Sequence, residues 1–493
     1  MKSRTQFQLV PILLFALGAS CACAFATTEQ VSSPSAPTDV LPISDLAPDP
    51  TFGSNGITTI DFNSVDVRHD IGLRVYPYSD GGYWIAGEHS GTGHGIDMAI
   101  AKTNADGSLD LSYNVTGKNT IPSTFSHLVD VIAGPPDRFY FVGTHVAAGF
   151  SDTDVEVDCI HIDGTVCEGF GTSGVAQVHF DLGSPGHRDD TPTRILWAGG
   201  WMYVLGSTDS GTGGSNLAAF VYKFSSVDGE PDPVFGNVPG HAGLFLHNAD
   251  LVAGGADIAF DAVVYATTPL STRVVLVGES QQAGTDVDGF VLSIDGTTGV
   301  PDGFIDDGVF VDLGPNPVDT LRRIIRRHDG GFVVAGYCED DSGATPGTQL
   351  LMAAYGTDGL RDQAFGLPGG LGQLHLRIAD LRNEPFALIE REDNRDLVVG
   401  LTMAESIADQ HRFEGVLQLG SSGNMEHAFA RVDLPGTPKW TEGRDLTLAP
   451  DYKVVTVGFR QWSMSSNDHD MVIARFNRND SIFANDFEGW AVD

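Results

Sequence analysis

Short apolar runs that end on a glycine recur along the whole chain: Trp84-Ile85-Ala86-Gly87, Tyr140-Phe141-Val142-Gly143, Tyr203-Val204-Leu205-Gly206, Val275-Leu276-Val277-Gly278, Val333-Val334-Ala335-Gly336, Leu397-Val398-Val399-Gly400 and Val455-Thr456-Val457-Gly458. The glycines are spaced by 56, 63, 72, 58, 64 and 58 residues. A second marker, an aromatic beside Gly or Asn after an acidic turn, falls at Phe52, Tyr113, Phe170, Phe235, Phe304, Phe365, Phe429 and Phe483, eight marks enclosing seven units of about 62 residues. A period of this size marks stacked supersecondary units that bury one another's faces. Within a unit, four apolar runs of strand length lie between turn signals, as in 71–78, 83–87, 98–103 and 115–121, or 321–327, 332–337, 350–355 and 374–378. The first two are joined by tight turns such as Ser79-Asp80-Gly81-Gly82 and Asp329-Gly330-Gly331, which is hairpin chemistry. No window sustains a 3.6-residue apolar period with caps, so helix is nearly excluded. The pattern predicts an all-β chain, a seven-bladed β-propeller of four-stranded blades. The last unit stops after its third run, 471–476, while a spare run, 57–62, precedes the first, so the N-terminal strand is expected to close the ring and remove an open edge.

Asp49-Pro50-Thr51-Phe52-Gly53, then Gly56-Ile57-Thr58-Thr59-Ile60-Asp61-Phe62, the Gly81 to Gly87 turn and strand, Asp97 to Lys102, and Asn104-Ala105-Asp106-Gly107-Ser108-Leu109-Asp110 resemble the bacterial delta-60 repeat. The match is close in units one, five and seven and degenerate in the others. The resemblance implies a propeller on an exported bacterial protein. No single activity attaches to the repeat, so it carries over no catalytic residue.

The ends are read differently. Residues 1–26 have the form of a secretory signal: Lys2 and Arg4, an apolar stretch over 9–19 too short to span a bilayer, and the small-x-small Ala24-Phe25-Ala26. Cleavage there is preferred to lipidation at Cys21, because Gly18-Ala19-Ser20 lacks the leucine of a lipobox. Residues 27–50, rich in Ser, Thr and Pro, form a flexible leader, 51–483 the propeller and 484–493 a tail. A secreted or periplasmic location follows. There disulfides persist, and Cys159 and Cys167, separated by an Asp163-Gly164 turn, are placed to clamp one hairpin, leaving Cys338 over. Lys plus Arg is 28 against 65 Asp plus Glu, a net charge of −37 that disfavours nucleic acid and anionic membrane surfaces as partners. A monomer without membrane insertion is expected.

Candidate chemistry sits on loops. The links between second and third strands (88–96, 144–153, 207–215, 279–287, 338–348, 401–412, 459–469) and between units share one face, and a rigid scaffold that presents such loops is suited to docking a glycan, peptide or protein. Acidic or amide residues stand where third strands begin, Asp97, Asp154, Asn216, Asp288 and Asp470, where they fix strand entry by accepting backbone N–H groups or, as a ring, attract Ca²⁺. His89, His94, Asp468 and His469, from units one and seven, are the candidate N/O set for Zn²⁺. The Asn104-x-Asp106-Gly107-x-x-Asp110 stretch lacks the closing Glu of a calcium loop and reads as a turn. Nucleophile elbow, zinc-protease, phosphate-loop and dinucleotide signatures are absent, and so is the sialidase Asp-box. A binding or interaction propeller with no obligatory cofactor is therefore the leading expectation. The alternatives are a hydrolase or lyase with a His/Asp site at the channel mouth, and a calcium-stabilised structural protein of the envelope.

Overall fold

The computed structural model describes residues 44–477 except 63–68, 91–94, 136, 147–151, 183–188, 211–215, 249–254, 269–270, 283–285, 306–308, 312–317, 341–346, 367–371, 380, 405–411, 425–427, 433–439 and 462–467. The signal segment, most of the leader, the tail, His94 and much of the long-loop face therefore lie outside the described residues.

The described residues form strands and turns without helix. Five four-stranded antiparallel sheets follow one another along the chain, and a nine-stranded sheet holds two more such ladders, joined through one parallel bridge between Arg412 and Trp440. The first strands of the seven ladders are Asp70–Pro77, His127–Gly134, Asp190–Ala198, Asp257–Thr268, Asp319–Arg326, Arg382–Glu390 and Trp440–Leu448. Each packs on the first strand of the next ladder, and that of the seventh packs on that of the first. Faces of adjacent ladders bury one another, as where Val157 and Cys159 of the second meet Ile195, Met202 and Phe220 of the third. Each fully buried aliphatic or aromatic side chain of this kind stabilises by about 1.5–3 kcal/mol. The Cys159–Cys167 disulfide clamps the hairpin after the second ladder's third strand, and Cys338 is buried.

The structure explains the repeated glycine. A Cβ on Gly87 would lie 1.9 Å from the Ile71 carbonyl oxygen, and at Gly206, Gly336 and Gly458 the equivalent carbonyls of Thr191, Thr320 and Glu442 are 2.0, 1.7 and 1.9 Å away. The first strand crowds the second here because every first strand then slips register by one residue, a β-bulge.

After the slip come Arg74, Asp130, Arg194, Asp261, Arg323, Ala387 and Asp445. Apart from the uncharged Ala387, their charges alternate from ladder to ladder. Arg74 meets Asp130 at 2.6 Å and Asp445 at 3.1 Å, and Arg194 meets Asp261 at 2.9 Å and Asp130 at 3.8 Å. Arg323 attracts Asp261 and donates to the carbonyls of Phe386 and Arg322. Each Asp also accepts an N–H from the following first strand: Ile195 to Asp130 at 3.0 Å, Ile324 to Asp261 at 3.2 Å, Val75 to Asp445 at 3.2 Å. Burial pushes Asp261 up to about 6 even against the pull of Arg323.

The N-terminal segment straps the last two ladders. Ser44–Asp45 pairs in parallel with Ala428–Arg431, and Ile57–Ile60 pairs antiparallel with the seventh ladder's third strand, His469–Phe476. Between them Asp49, 1% exposed, holds Arg475 at 2.8 Å and Lys453 at 3.1 Å. Burial opposes ionisation of Asp49, yet bonds from Thr51 and Lys453 and the Arg475 charge hold its carboxyl well below the usual range.

Candidate functional site

The loop histidines do not stand free. His89 is buried and its Nδ1 lies 2.6 Å from Asp70 Oδ1, while His469 Nδ1 is 2.7 Å from His69 Nδ1 and its ring lies 4.6 Å from that of Phe459. Burial, followed by the neighbouring His69, pushes His469 down to about 4. Asp468 acts on His69 electrostatically. At the same junction one carboxylate oxygen from each of Asp61, Asp70 and Asp470 lies within 4.8 Å of the others. Asp470 is already held by Arg460 at 3.0 Å.

Strand entry is fixed by a residue at or next to the start of the first strand. Asp70 accepts the Phe62 N–H at 2.8 Å, Asp190 that of Phe180 at 2.8 Å, and Asn383 those of Ile378 and Ala379 at 3.0 and 2.8 Å. The acidic turn at Asn104 to Asp110 is a turn, with the Ser108 N–H and hydroxyl on Asp106 and Lys102 on Asp110.

Chemically richer groups are carried by the strands, at the end of the first strands where the long loops leave. Three positions recur. One follows the second-strand glycine and holds Glu88, Glu279, Tyr337 and Phe459; another, three before the belt, holds His127, Glu384 and Glu442; the bulged residue itself is Phe260, Arg322 or Arg444. Arg322 stacks 3.7 Å from the Phe260 ring centroid, donates to the Tyr337 hydroxyl at 3.2 Å and faces Glu279 at 3.5 Å. Glu384 accepts from Arg382 at 3.0 Å and feels Arg322, Arg412 and Glu442. Glu442 takes the Trp440 indole N–H at 2.8 Å and pairs with Arg412 and, at 3.3 Å, with Arg444.

Electrostatics separates the two carboxyls near Arg444. Glu88 is 6% exposed and its Oε2 makes no hydrogen bond. Burial pushes it up to about 7, offset in part by Arg444 and the Leu128 N–H. Burial also works to raise Glu442, but Arg444 and Arg412 hold it below its ordinary value. His127 is driven down by burial and then by Arg444, so it is neutral. Arg444, 41% exposed, is the open cation of the group. Carboxyls whose surroundings drive their pKa values apart are the usual basis of acid and base roles.

Reading loops for histidines misses this cluster, because its members are strand residues that resemble core filler in any single unit. The signal is comparative: the residue after the second-strand glycine is Glu88, Thr144, Ser207, Glu279, Tyr337, Leu401 and Phe459 in the seven units, while the glycine does not change.

No protein-family model matches the chain, and no curated protein does. Among solved structures the chain is similar to the polysaccharide lyase Uly1 (10% identity, 82% of this chain and 90% of that one, TM-score 0.46). It is also similar to a PL25 ulvan lyase (10%, 85% and 98%, 0.43) and to the GH93 α-L-arabinofuranosidase of Fusarium graminearum (10%, 85% and 97%, 0.41).

Proposed function

We propose that the chain is an exported seven-bladed β-propeller, closed by Ile57–Ile60 in its last blade, whose loop-face mouth binds a glycan and cleaves a glycosidic bond by acid catalysis from Glu88. The ring reading is supported by the packing of first strands from the first ladder round to the seventh and by the Val75 N–H on Asp445. Export is supported by the disulfide and by the form of residues 1–26.

One observation carries the catalytic reading: a buried carboxyl with an unpartnered oxygen, pushed up to about 7, and a second carboxyl held below its ordinary value, both acted on by Arg444. Glu88 then donates its proton to the departing glycosidic oxygen, Glu442 supplies negative charge towards the positive charge that develops at the anomeric carbon, and a solvent water adds to that carbon, its proton returning to the Glu88 carboxylate directly or through His127. Arg322 on Phe260, with Glu384 and Tyr337, offers the stacking face and the alternating donors and acceptors that a hydroxyl-rich ligand pairs with. A metal on His89, His94, Asp468 and His469 would have to displace the His89–Asp70 and His69–His469 pairs, so zinc has no part in this reading.

The test uses the secreted protein against a panel of neutral and acidic polysaccharides, followed by new reducing ends and by absorbance of unsaturated products. Reducing ends without unsaturation, falling off above about pH 7 and lost in Glu88→Gln, are expected. Binding that survives Glu88→Gln, with no cleavage by the wild type, would leave a binding propeller built on the Arg322–Phe260 face.

A further inference from the structure

Arginine gathers at the mouth of a chain that holds 28 basic residues against 65 acidic ones. Arg322, Arg382 and Arg444 lie in the first strands of the fifth, sixth and seventh ladders, and Arg412 opens the sixth ladder's third strand, bridged to Trp440. Each pairs with a glutamate: Arg322 with Glu279, Arg382 with Glu384, and Arg412 and Arg444 both with Glu442. The four arginine side chains are 30–41% exposed and the three glutamates 8–25%. In the other ion pairs among the described residues no lysine or arginine is more than 23% exposed. At the mouth the acids are therefore set inward and the cations outward, the reverse of a pair such as Arg327 with Asp329, where the acid is the exposed partner.

The tightest group is at the seventh ladder. Glu442 turns one oxygen to Arg412 and the Trp440 indole N–H, at 2.8 Å from the indole, and the other to Arg444 at 3.3 Å. The Arg412 guanidinium lies 4.3 Å from the Trp440 ring centroid and that of Arg444 lies 5.2 Å from the Phe459 ring centroid. One carboxylate thus stands between two guanidiniums that aromatic rings brace, and the group carries one positive charge beyond what it offsets. The neighbouring acids are already engaged, Asp470 with Arg460 and Glu384 with Arg382, each at 3.0 Å. Each braced guanidinium gives one nitrogen to Glu442, and its planar fork keeps further N–H donors in the geometry that the paired oxygens of a carboxylate or sulfate require.

We propose that the glycan taken by the mouth is anionic, a polymer bearing carboxylate or sulfate ester groups, and that Arg412 and Arg444 are the clamp that holds one such group. The proposal rests on the glycan-binding reading of the mouth and adds the charge of its substrate. A net charge of −37 repels polyanions from the surface at large, so capture of one needs cations gathered at a single place and in direct contact with it. Arg322, stacked on Phe260 at 3.7 Å, is a further exposed cation of the same face.

The Glu88→Gln protein, chosen to bind without cleaving, is titrated calorimetrically with polygalacturonate, dextran sulfate, uncharged dextran and galactan, and polyglutamate, with the wild type beside it. At least one anionic glycan is expected to bind about tenfold or more tightly than the uncharged ones, and the carboxylate and sulfate arms tell which group is held. Arg412→Gln and Arg444→Gln should each weaken that binding about tenfold and leave any uncharged glycan unaffected, Arg444→Lys should recover part of the loss, and Arg326→Gln, on the opposite face, should change nothing. Uncharged glycans bound as tightly as charged ones, or arginine variants that weaken both alike, overturn the proposal while the glycan reading stands. Polyglutamate bound as tightly as the glycans also overturns it and assigns the cluster to acidic proteins. Anionic glycan bound but not cleaved by the wild type supports the clamp and removes the catalytic reading, and no binding of any glycan overturns both.

Discussion

Replacing Asp130 by alanine removes one member of the alternating belt and tests whether that belt holds the ladders together. Asp130 is 3% exposed and lies between Arg74 at 2.6 Å and Arg194 at 3.8 Å, while its two oxygens take the N–H groups of Val131 and Ile195. Without it Arg74 keeps only Asp445, Arg194 keeps only Asp261, and two buried N–H groups lose their acceptor. Breaking a buried ion pair from one side costs about 3–5 kcal/mol, since the remaining charge stays desolvated. An unfolding entropy of about 2.1 cal/mol/K per residue, over the whole span of residues 44–477 unfolding together, makes 1 kcal/mol worth about 1 °C, so calorimetry should find the midpoint lowered by about 3–5 °C. Asp130→Asn retains an acceptor and should fall between the two. Asp451→Ala, which removes a 56% exposed partner of Lys453, is the surface control and should change stability by less than about 1 kcal/mol. If Asp130→Ala is no worse than Asp451→Ala, the belt is not a stabilising element and the reasoning fails.

The pH dependence of stability should carry the mark of Asp158. Burial, and then Glu156, pushes its carboxyl up to about 8, far above its unfolded value. A raised acid contributes stability that is complete below about pH 4 and is lost as pH rises through about 8, so wild-type urea midpoints should fall between pH 5 and pH 9. Asp158→Asn should fall less over the same range; parallel curves would exclude Asp158 as a cause. Reduction of the Cys159–Cys167 bridge, which closes a loop of sequence separation 8, should cost about 2–3 kcal/mol by loop entropy, read as the stability difference between the protein and its double-serine variant. A difference under about 0.5 kcal/mol would mean that the surrounding hairpin is already formed in the unfolded chain.

The repeat, the four runs in each unit, the turns and the disulfide are legible in the chain because each rests on local chemistry: alternation, tight-turn residues, two cysteines across an Asp163-Gly164 turn. The pairing of Ile57–Ile60 with the last third strand follows from counting runs. The belt and the mouth are harder to see, since they depend on register between units. Arg74, Asp130, Arg323, Ala387 and Asp445 each precede their second-strand glycine by 13 positions, a constancy that appears only when units are aligned. Arg194 and Asp261 stand 12 and 17 positions before theirs, because their hairpins differ in length. Glu88 looks like any polar residue at a strand end, and its elevated pKa arises from burial against the second ladder, which no local pattern encodes.

The belt also has a parity. Two signs can alternate without conflict only around an even circuit, and seven places force one mismatch. The chain leaves Ala387 uncharged between Arg323 and Asp445, so that no two neighbouring places carry the same sign, and Arg74 meets Asp445 at 3.1 Å. Loss of the unit carrying Arg74, Asp130, Arg194 or Asp261 would set two like charges side by side, whereas loss of the one carrying Arg323, Ala387 or Asp445 would not. Repeats that are nearly interchangeable in their strands are thereby made unequal by their charges, four of them tied to their neighbours more tightly than the other three.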